Sequence, residues 1–408
     1  MSANEGRFNR REFLTASLGG LASAGLSALI SCNNQNDSAA TARPLPRGKL
    51  ITRKLGRTGL ELPIVNAGGT TTADPSFIQA EYDVGLRLFD TDARYLNGRH
   101  ESLLGRVFER IGVRENVIIM TKVHPPEWRA GLNPQESKSL LLKTFEGCLR
   151  RLRTDYVDIL LVHDVSDSAT VKDPAIMEAM MRLKDEGRAR HLGIATHTNM
   201  AVAINAAVEA GIYDVILTSV NFTMADDTRL MGAIEKAAAN DLGVVAMKTQ
   251  VGGRSFPNQG ELNRYSEEVV NSAALKWVCN NENIATSIPG IATYDHLHID
   301  LGVAINPKYT DLEREFLADR NIRLGFEFCR QCQQCLHQCP HGVDIPKLMR
   351  THMYARQYAD FELARHTYDS IPRGRSLSAC ADCRKCRVVC ANSVDIPRKI
   401  EELKLIYA

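Results

Sequence analysis

Residues 85–95 read GLRLFDTDARY. A short apolar run (Leu86, Leu88, Phe89) ends in polar groups, among them the ionisable pair Asp90 and Tyr95. Such a run predicts a buried strand whose C-terminal end opens into a loop. The pattern returns twice. NVIIMTK is apolar until it delivers Lys122, and YVDILLVH is apolar until it delivers His163. In a barrel of parallel strands these ends converge on one face, where such barrels keep their chemistry.

The surrounding sequence supports a barrel. Strands are expected at 64–67, 86–90, 117–122, 157–163, 192–195, 215–219, 244–247 and 285–288. Helices are expected between them, at 134–152, 175–187, 200–210, 228–240 and 265–281, and Gly187, Gly211 and Gly243 fall where helices stop. A hairpin around residues 56–59 precedes them. This α/β rhythm predicts a (β/α)8 TIM barrel over residues 49–308. A doubly wound sheet would place G-x-G-x-x-G after its first strand, and Asn66-Ala67-Gly68-Gly69-Thr70 lacks that spacing.

The chain has 408 residues and a formal net charge of +2, with 24% charged and 44% hydrophobic residues. Two domains are therefore expected, and no nucleic-acid partner. Eight of the 11 cysteines lie beyond residue 328 at ligand spacing, which points to metal rather than disulfides. Cys329-x2-Cys332-x2-Cys335-x3-Cys339-Pro340 is repeated as Cys380-x2-Cys383-x2-Cys386-x3-Cys390-Ala391. Val343-Asp344-Ile345-Pro346 recurs as Val394-Asp395-Ile396-Pro397. Residues 309–408 thus resemble a helix-rich, two-cluster [4Fe–4S] ferredoxin. In such pairs the fourth cysteine usually serves the other cluster. The resemblance then implies one cluster on Cys329, Cys332, Cys335 and Cys390, and another on Cys380, Cys383, Cys386 and Cys339. Structural zinc is the alternative. Cys148 and Cys279 read as core thiols.

Residues 1–32 carry Arg10-Arg11, an Ala/Gly/Ser-rich apolar run and Leu29-Ile30-Ser31-Cys32. This resembles a twin-arginine export signal with a lipobox, implying periplasmic export and membrane association through a lipid on Cys32. An uncleaved anchor, or cleavage without lipid, is the alternative. Residues 33–48 read as a flexible tether.

Asp90, Tyr95, Lys122 and His163 resemble the catalytic tetrad of the aldo-keto reductases, a likeness that runs from Leu50 to about Gly302. It implies a small carbonyl or alcohol substrate and NAD(P)(H) across the barrel mouth. Reducing a carbonyl needs a hydride and a proton. Tyr95 is expected to supply the proton as general acid/base, and a tyrosine's ordinary pKa of about 10 is high for that work. Lys122 is expected to lower it, Asp90 to orient Lys122, and His163 to donate a hydrogen bond to the carbonyl oxygen. Nucleotide contacts are expected from Gly69, Thr70, Thr196, Asn221, Met247, Lys248 and Arg254. Six positions depart from the family pattern: Ala195-Thr196 for Ser-Asn, the region of Leu217 for a glutamine, Met247 for the stacking aromatic, and Gly290 and His296 for the phosphate-binding cations. His124, His191 and His197, near barrel strand ends, read as ordinary polar packing, with lining of the substrate mouth as the alternative for His197. The other reading is an electron-transfer or docking protein whose barrel has lost nicotinamide turnover. A further one makes the clusters purely structural.

Overall fold

The computed structural model describes residues 44–69, 73–124, 133–251, 264–380, 383 and 385–407. Arg43–Ala408 packs as one compact unit. The expected division at 308/309 runs through that unit. Residues 1–43, including Cys32, lie outside the described set, as do Thr70 and Arg254. Among the described residues no helix is long and apolar enough to cross a membrane.

The hairpin is β1 (Thr52–Lys54) and β2 (Glu61–Pro63). Seven parallel strands follow in sequential order: β3 (Leu88–Asp90), β4 (Ile118–Val123), β5 (Val157–His163), β6 (Ala189–Thr196), β7 (Val215–Ser219), β8 (Gly243–Met247) and β9 (Thr286–Ser287). The eighth expected strand, at 64–67, is reduced to two isolated parallel bridges. Val65 pairs Ser287 and Ala67 pairs Phe89, which closes the barrel. Asn66 explains the shortfall. Its buried amide oxygen accepts the backbone N–H groups of Arg87 and Leu88, each at 3.0 Å, so a side chain replaces ladder bonds.

Alternation along the strands separates two cores. Leu88, Met120, Ile159, Leu161, Val215, Leu217, Val245 and Met247 point inward and pack together, with Leu55 and Leu62 of the hairpin region. The other strand faces pack on the helices; Phe89, Ile119, Leu160 and Ile216 belong to that larger core. Because side chains repeat every two residues, the next inward positions are Asp90 after Leu88, Lys122 after Met120 and His163 after Leu161. The period that fills the barrel therefore also delivers the polar cluster at its mouth.

The cysteine-rich region does not hang from the barrel. Its helix Ile345–Arg356, here the cap helix, has ten buried positions, from Ile345 and Pro346 to Tyr354 and Ala355. Asp344 caps its N-terminus through the Lys347 N–H, and Pro346 sits in the first turn, where its missing N–H costs nothing. The helix Phe361–Asp369 packs beside it. Both fall within residues 309–408, which the sequence reading expects to be helix-rich.

Candidate active site and cysteine centres

Three of the four tetrad positions meet directly. Lys122 Nζ donates to Asp90 Oδ1 at 2.6 Å and to the Thr91 carbonyl at 2.8 Å, and it lies 3.4 Å from Tyr95 Oη. Asp90 and Lys122 are buried. Burial pushes the Asp90 carboxyl up, and Lys122 works against that rise. Tyr95 differs from expectation, because its pKa is raised well above the ordinary value. Burial is the main cause, and the charges of Asp90 and Asp92 add to it. The Lys122 ammonium is already committed to Asp90 and a carbonyl, so it does not turn Tyr95 into a phenolate. Tyr95 is held as a phenol, a proton donor.

Tyr95 stands on the ring-thin gap left by Gly69. A Cβ at residue 69 would lie 2.1 Å from the Tyr95 ring, so only glycine lets the phenol occupy this place. The following turn, with Leu96 and Asn97 at positive φ, reaches the module. Asn97 and Glu362 share a short hydrogen bond, and His366 Nε2 lies 2.5 Å from Asn97 Oδ1.

His163 is placed otherwise than the resemblance implies. Its Nδ1 is 2.6 Å from Asp92 Oδ2, and its Nε2 is 2.9 Å from His197 Nε2. His124 Nε2 reaches both Asp92 oxygens at 3.0 Å. Lys248 Nζ lies 3.3 Å from His197 Nδ1. One tautomer set satisfies the chain: Lys248 donates to His197, His197 to His163, and His163 and His124 to Asp92. Donation from His163 to a substrate oxygen would require the contact with His197 to open. Burial lowers His163 to about 3 and lowers His197 well below the usual range, so both rings are neutral. Burial opposes the Asp92 carboxylate, yet the two imidazoles hold it well below the carboxylate norm. Asp92, His124 and His163 also offer ligand atoms within 4.8 Å of one another. Complementary tautomers account for that grouping without an ion.

A cleft of about 1230 Å³, open on one side, runs from Gly69 and Tyr95 past Met247 and Lys248 to Gly290 and His296. Tyr354 and Gln357, on or just beyond the cap helix, form its other wall. A Cβ at Gly290 would meet nothing within 4 Å. The helix Tyr294–Ile305 begins beside it, capped by Thr293. Room, a bare backbone and a helix N-terminus suit the phosphates of a dinucleotide. Of the expected nucleotide contacts, Gly69, Met247 and Lys248 line the cleft. Thr196 and Asn221 do not. Thr196 Oγ1 turns to the Thr198 carbonyl, and Asn221 Nδ2 donates to the Lys248 carbonyl, which fixes the backbone of that turn.

The module is bolted to this mouth. Arg350 of the cap helix makes two 2.8 Å bonds to the Asp164 carboxylate, one residue beyond β5. Burial would raise Asp164, but Arg350 and Lys347 hold it below the carboxylate norm. Thr198 donates to Gln331 Oε1 at 3.0 Å, and Asn199 N–H donates to the Gln331 carbonyl at 3.1 Å. The same glutamine lies 3.2 Å from Cys329 Sγ.

Cys329, Cys332, Cys335 and Cys390 line one small cavity. Burial raises Cys329 to about 12, and the charges of Cys390, Cys335 and Cys332 add to the rise. Cys380 is raised by burial, with Cys339, Cys383 and Cys386 as its charged sulfur neighbours. The eight cysteines thus sort into two sets of four, each drawing one member from the other half of the repeat. Soft thiolates in fours suit an iron–sulfur cluster. Cys148 and Cys279 are buried in the barrel.

Residues 75–272 match the Aldo/keto reductase family model, and residues 328–394 match that of a 4Fe-4S dicluster domain. The chain carries an aldo/keto reductase domain and a 4Fe–4S dicluster domain. It is an oxidoreductase of aldo-keto reductase type. It is 24% identical over 304 residues to L-galactose dehydrogenase of Arabidopsis thaliana, covering 66% of this chain and 93% of that one. It is 31% identical over 118 residues to aldo-keto reductase YhdN of Bacillus subtilis, covering 29% of this chain and 35% of the relative. The fold is similar to that of aldo-keto reductase AKR11C1 from Bacillus halodurans in its holo form. There the TM-score is 0.54 and the identity 21%, over 67% of this chain and all of the other.

The sequence reading passed over Asp92, Gln331, Arg350 and Asp164, and took His124 for ordinary polar packing. Asp92 had a signal, since it stands two residues from Asp90 within the opening stretch. Gln331 and Arg350 had none, because their partners lie 133 and 186 residues away.

Proposed function

We propose that this protein interconverts a carbonyl and an alcohol with NAD(P)(H), Tyr95 acting as general acid in reduction and as base in the reverse direction. The observation that carries this is the Asp90–Lys122–Tyr95 contact at the floor of the cleft. A nicotinamide bound along Gly69, Met247 and Gly290 supplies or accepts the hydride. Tyr95, kept protonated by burial, gives its proton to the oxygen that gains charge. Lys122, locked by Asp90, stabilises the phenolate left behind. His163 and His197 line a smaller cavity that shares Tyr95 with the cleft. Tyr95→Phe should lower kcat by about 10²-fold or more, the scale of a lost general acid, while leaving NAD(P)H affinity within a factor of two. Undiminished turnover in this variant would refute the role given to Tyr95.

The two cysteine sets hold two [4Fe–4S] clusters in this reading. Residues 309–408 act as an electron-transfer module, and Gln331 joins the nearer cluster to the barrel mouth through Thr198. Together the clusters store two electrons, the number one carbonyl reduction consumes. Residues 1–32 direct twin-arginine export, and a lipid on Cys32 holds the protein on the periplasmic side. Intact mass of the membrane-bound form checks that lipid. The replaced nucleotide anchors at Met247, Gly290 and His296 favour a second reading, in which the barrel docks an electron partner without nicotinamide turnover. Clusters present, but no nucleotide released on denaturation and no turnover, would support it.

A further inference from the structure

Cations at the barrel mouth have partners, with one exception. Lys122 is paired with Asp90 at 2.6 Å, and Arg350 is held by both oxygens of Asp164. Lys347 stands 3.8 Å from that same carboxylate, and Asp92 is occupied by His124 and His163. Lys248 is different. Its ammonium touches the neutral His197 Nδ1 at 3.3 Å and the Met247 sulfur at 3.9 Å, and it lies 5.2 Å from the centre of the Tyr354 ring. Among the described residues no carboxylate comes within ion-pair distance of it. Lys248 also lines both the cleft that holds Tyr95 and the smaller cavity beneath the cap helix, bounded by His197, Arg350 and Cys329.

A half-buried ammonium without a counter-charge is costly to keep. Burial lowers Lys248 to about 7 and the nearby Arg350 adds to the effect, and the more distant charges of Asp164 and Asp90 offset only part of it. A ligand that brings a carboxylate would supply it through a charge-assisted hydrogen bond. The direction of the side chain narrows the source. Lys248 Nζ faces His197 and Tyr354, on the side of His163 and the cap helix, and His197 lines the smaller cavity rather than the cleft that holds Gly290.

We propose that Lys248 is the anchor for a carboxylate carried by the substrate next to its reacting carbonyl, so that the site takes 2-oxo acids or the corresponding 2-hydroxy acids. This rests on the carbonyl–alcohol reading above. The substrate carboxylate pairs with Lys248 while the carbonyl oxygen meets Tyr95. In reduction a C–H bond forms at C2 with the hydride of the dihydronicotinamide, which is oxidised. The carbonyl π bond breaks, and the oxygen takes the Tyr95 proton.

The test uses the full-length protein with its clusters and a saturating nicotinamide. Calorimetric affinities are measured for a series of 2-oxo acids of three to six carbons and for their methyl esters, in wild type, Lys248→Met and Lys248→Arg. Wild type should bind at least one acid about tenfold or more tighter than its ester, the scale of one charge-assisted contact. Lys248→Met should abolish that ratio, and Lys248→Arg should retain part of it. Equal binding of acids and esters by wild type, or no binding of either, overturns the proposal. So does a Lys248→Met variant that loses nucleotide affinity and keeps the ratio, since the anion would then be a nucleotide phosphate. Turnover is read separately. Selective acid binding without reduction leaves the anchor standing and refutes the carbonyl–alcohol reading.

Discussion

The two halves of the cysteine repeat share a motif and differ in what surrounds it. Val343-Asp344-Ile345-Pro346 opens the cap helix, and Val394-Asp395-Ile396-Pro397 opens the helix Ile396–Tyr407, each with proline in its first turn. The first helix buries ten of its positions; the second buries Ile396, Lys399, Ile400 and Leu403. Val343 and Val394 pack in the same small core. The difference begins at the next turn. Arg350 in the first helix meets Asp164 of the barrel, whereas the matching position in the second is Glu401, exposed and bonded to Lys404. The sulfurs differ too. Gln331 faces Cys329, while Asn392 faces Cys332 and Cys390. All three contacts fall on the set nearer the barrel, and no such contact reaches the other set among the described residues. A duplicated motif thus gives one set of four cysteines tied to the barrel mouth through Gln331 and a second set with no such tie among the described residues.

The comparison can be broken most directly at the matching helix positions. Arg350→Ala leaves Asp164 buried without its counter-charge and should cost about 3–5 kcal/mol. Glu401→Ala loses only a surface pair and should cost less than about 0.5 kcal/mol. Denaturant unfolding of both variants reads the contrast, and similar losses would mean that the cap helix is not bolted to the barrel.

Acid should act on the same side. Burial lowers His100 to about 4 and His163 to about 3, and His197 falls well below its usual range. An unfolded histidine takes up a proton near pH 6.5. Between that pH and the folded values the unfolded chain binds more protons, so stability is full above about 6.5 and falls as pH drops toward 4. Residues 380–407 contain no histidine. Thermal unfolding at pH 7.5 and 5 should therefore show the barrel weakening, and a Tm unchanged between them would contradict the neutral imidazole chain.

The smallest effect concerns potential. Hydrogen bonds to cluster sulfurs stabilise the reduced, more negative state, so the nearer centre should have the higher reduction potential. Gln331→Leu should lower it by roughly tens of millivolts and leave the other centre in place. An anaerobic titration followed by electron paramagnetic resonance separates the two. Identical potentials in the wild type would erase the asymmetry.

Much of the fold was legible because it follows from short-range periodicity. Alternation in LRLFD, NVIIMTK and YVDILLVH placed Asp90, Lys122 and His163 at strand ends, and helix starts and stops agreed within a few residues. The bridge segment at 64–67 was less legible, since the Asn66 side chain captures backbone donors that a strand would have used. In the site, the residue types of the tetrad could be read, but not what faces them. The expectation that Lys122 would lower Tyr95 failed because burial and the charges of Asp90 and Asp92 outweigh an ammonium already spent on Asp90.

By itself the sequence determined the barrel, the polar set at its mouth and the eight-sulfur repeat, because period-two burial and ligand spacing are local properties of the chain. Only the tertiary structure decided that the cysteine module roofs the active site through Arg350 and Gln331. It alone set His163 between Asp92 and His197 and left Lys248 with no carboxylate at ion-pair distance among the described residues. Those outcomes depend on contacts between residues dozens to nearly two hundred positions apart, where side-chain direction and competing charges decide which partners meet.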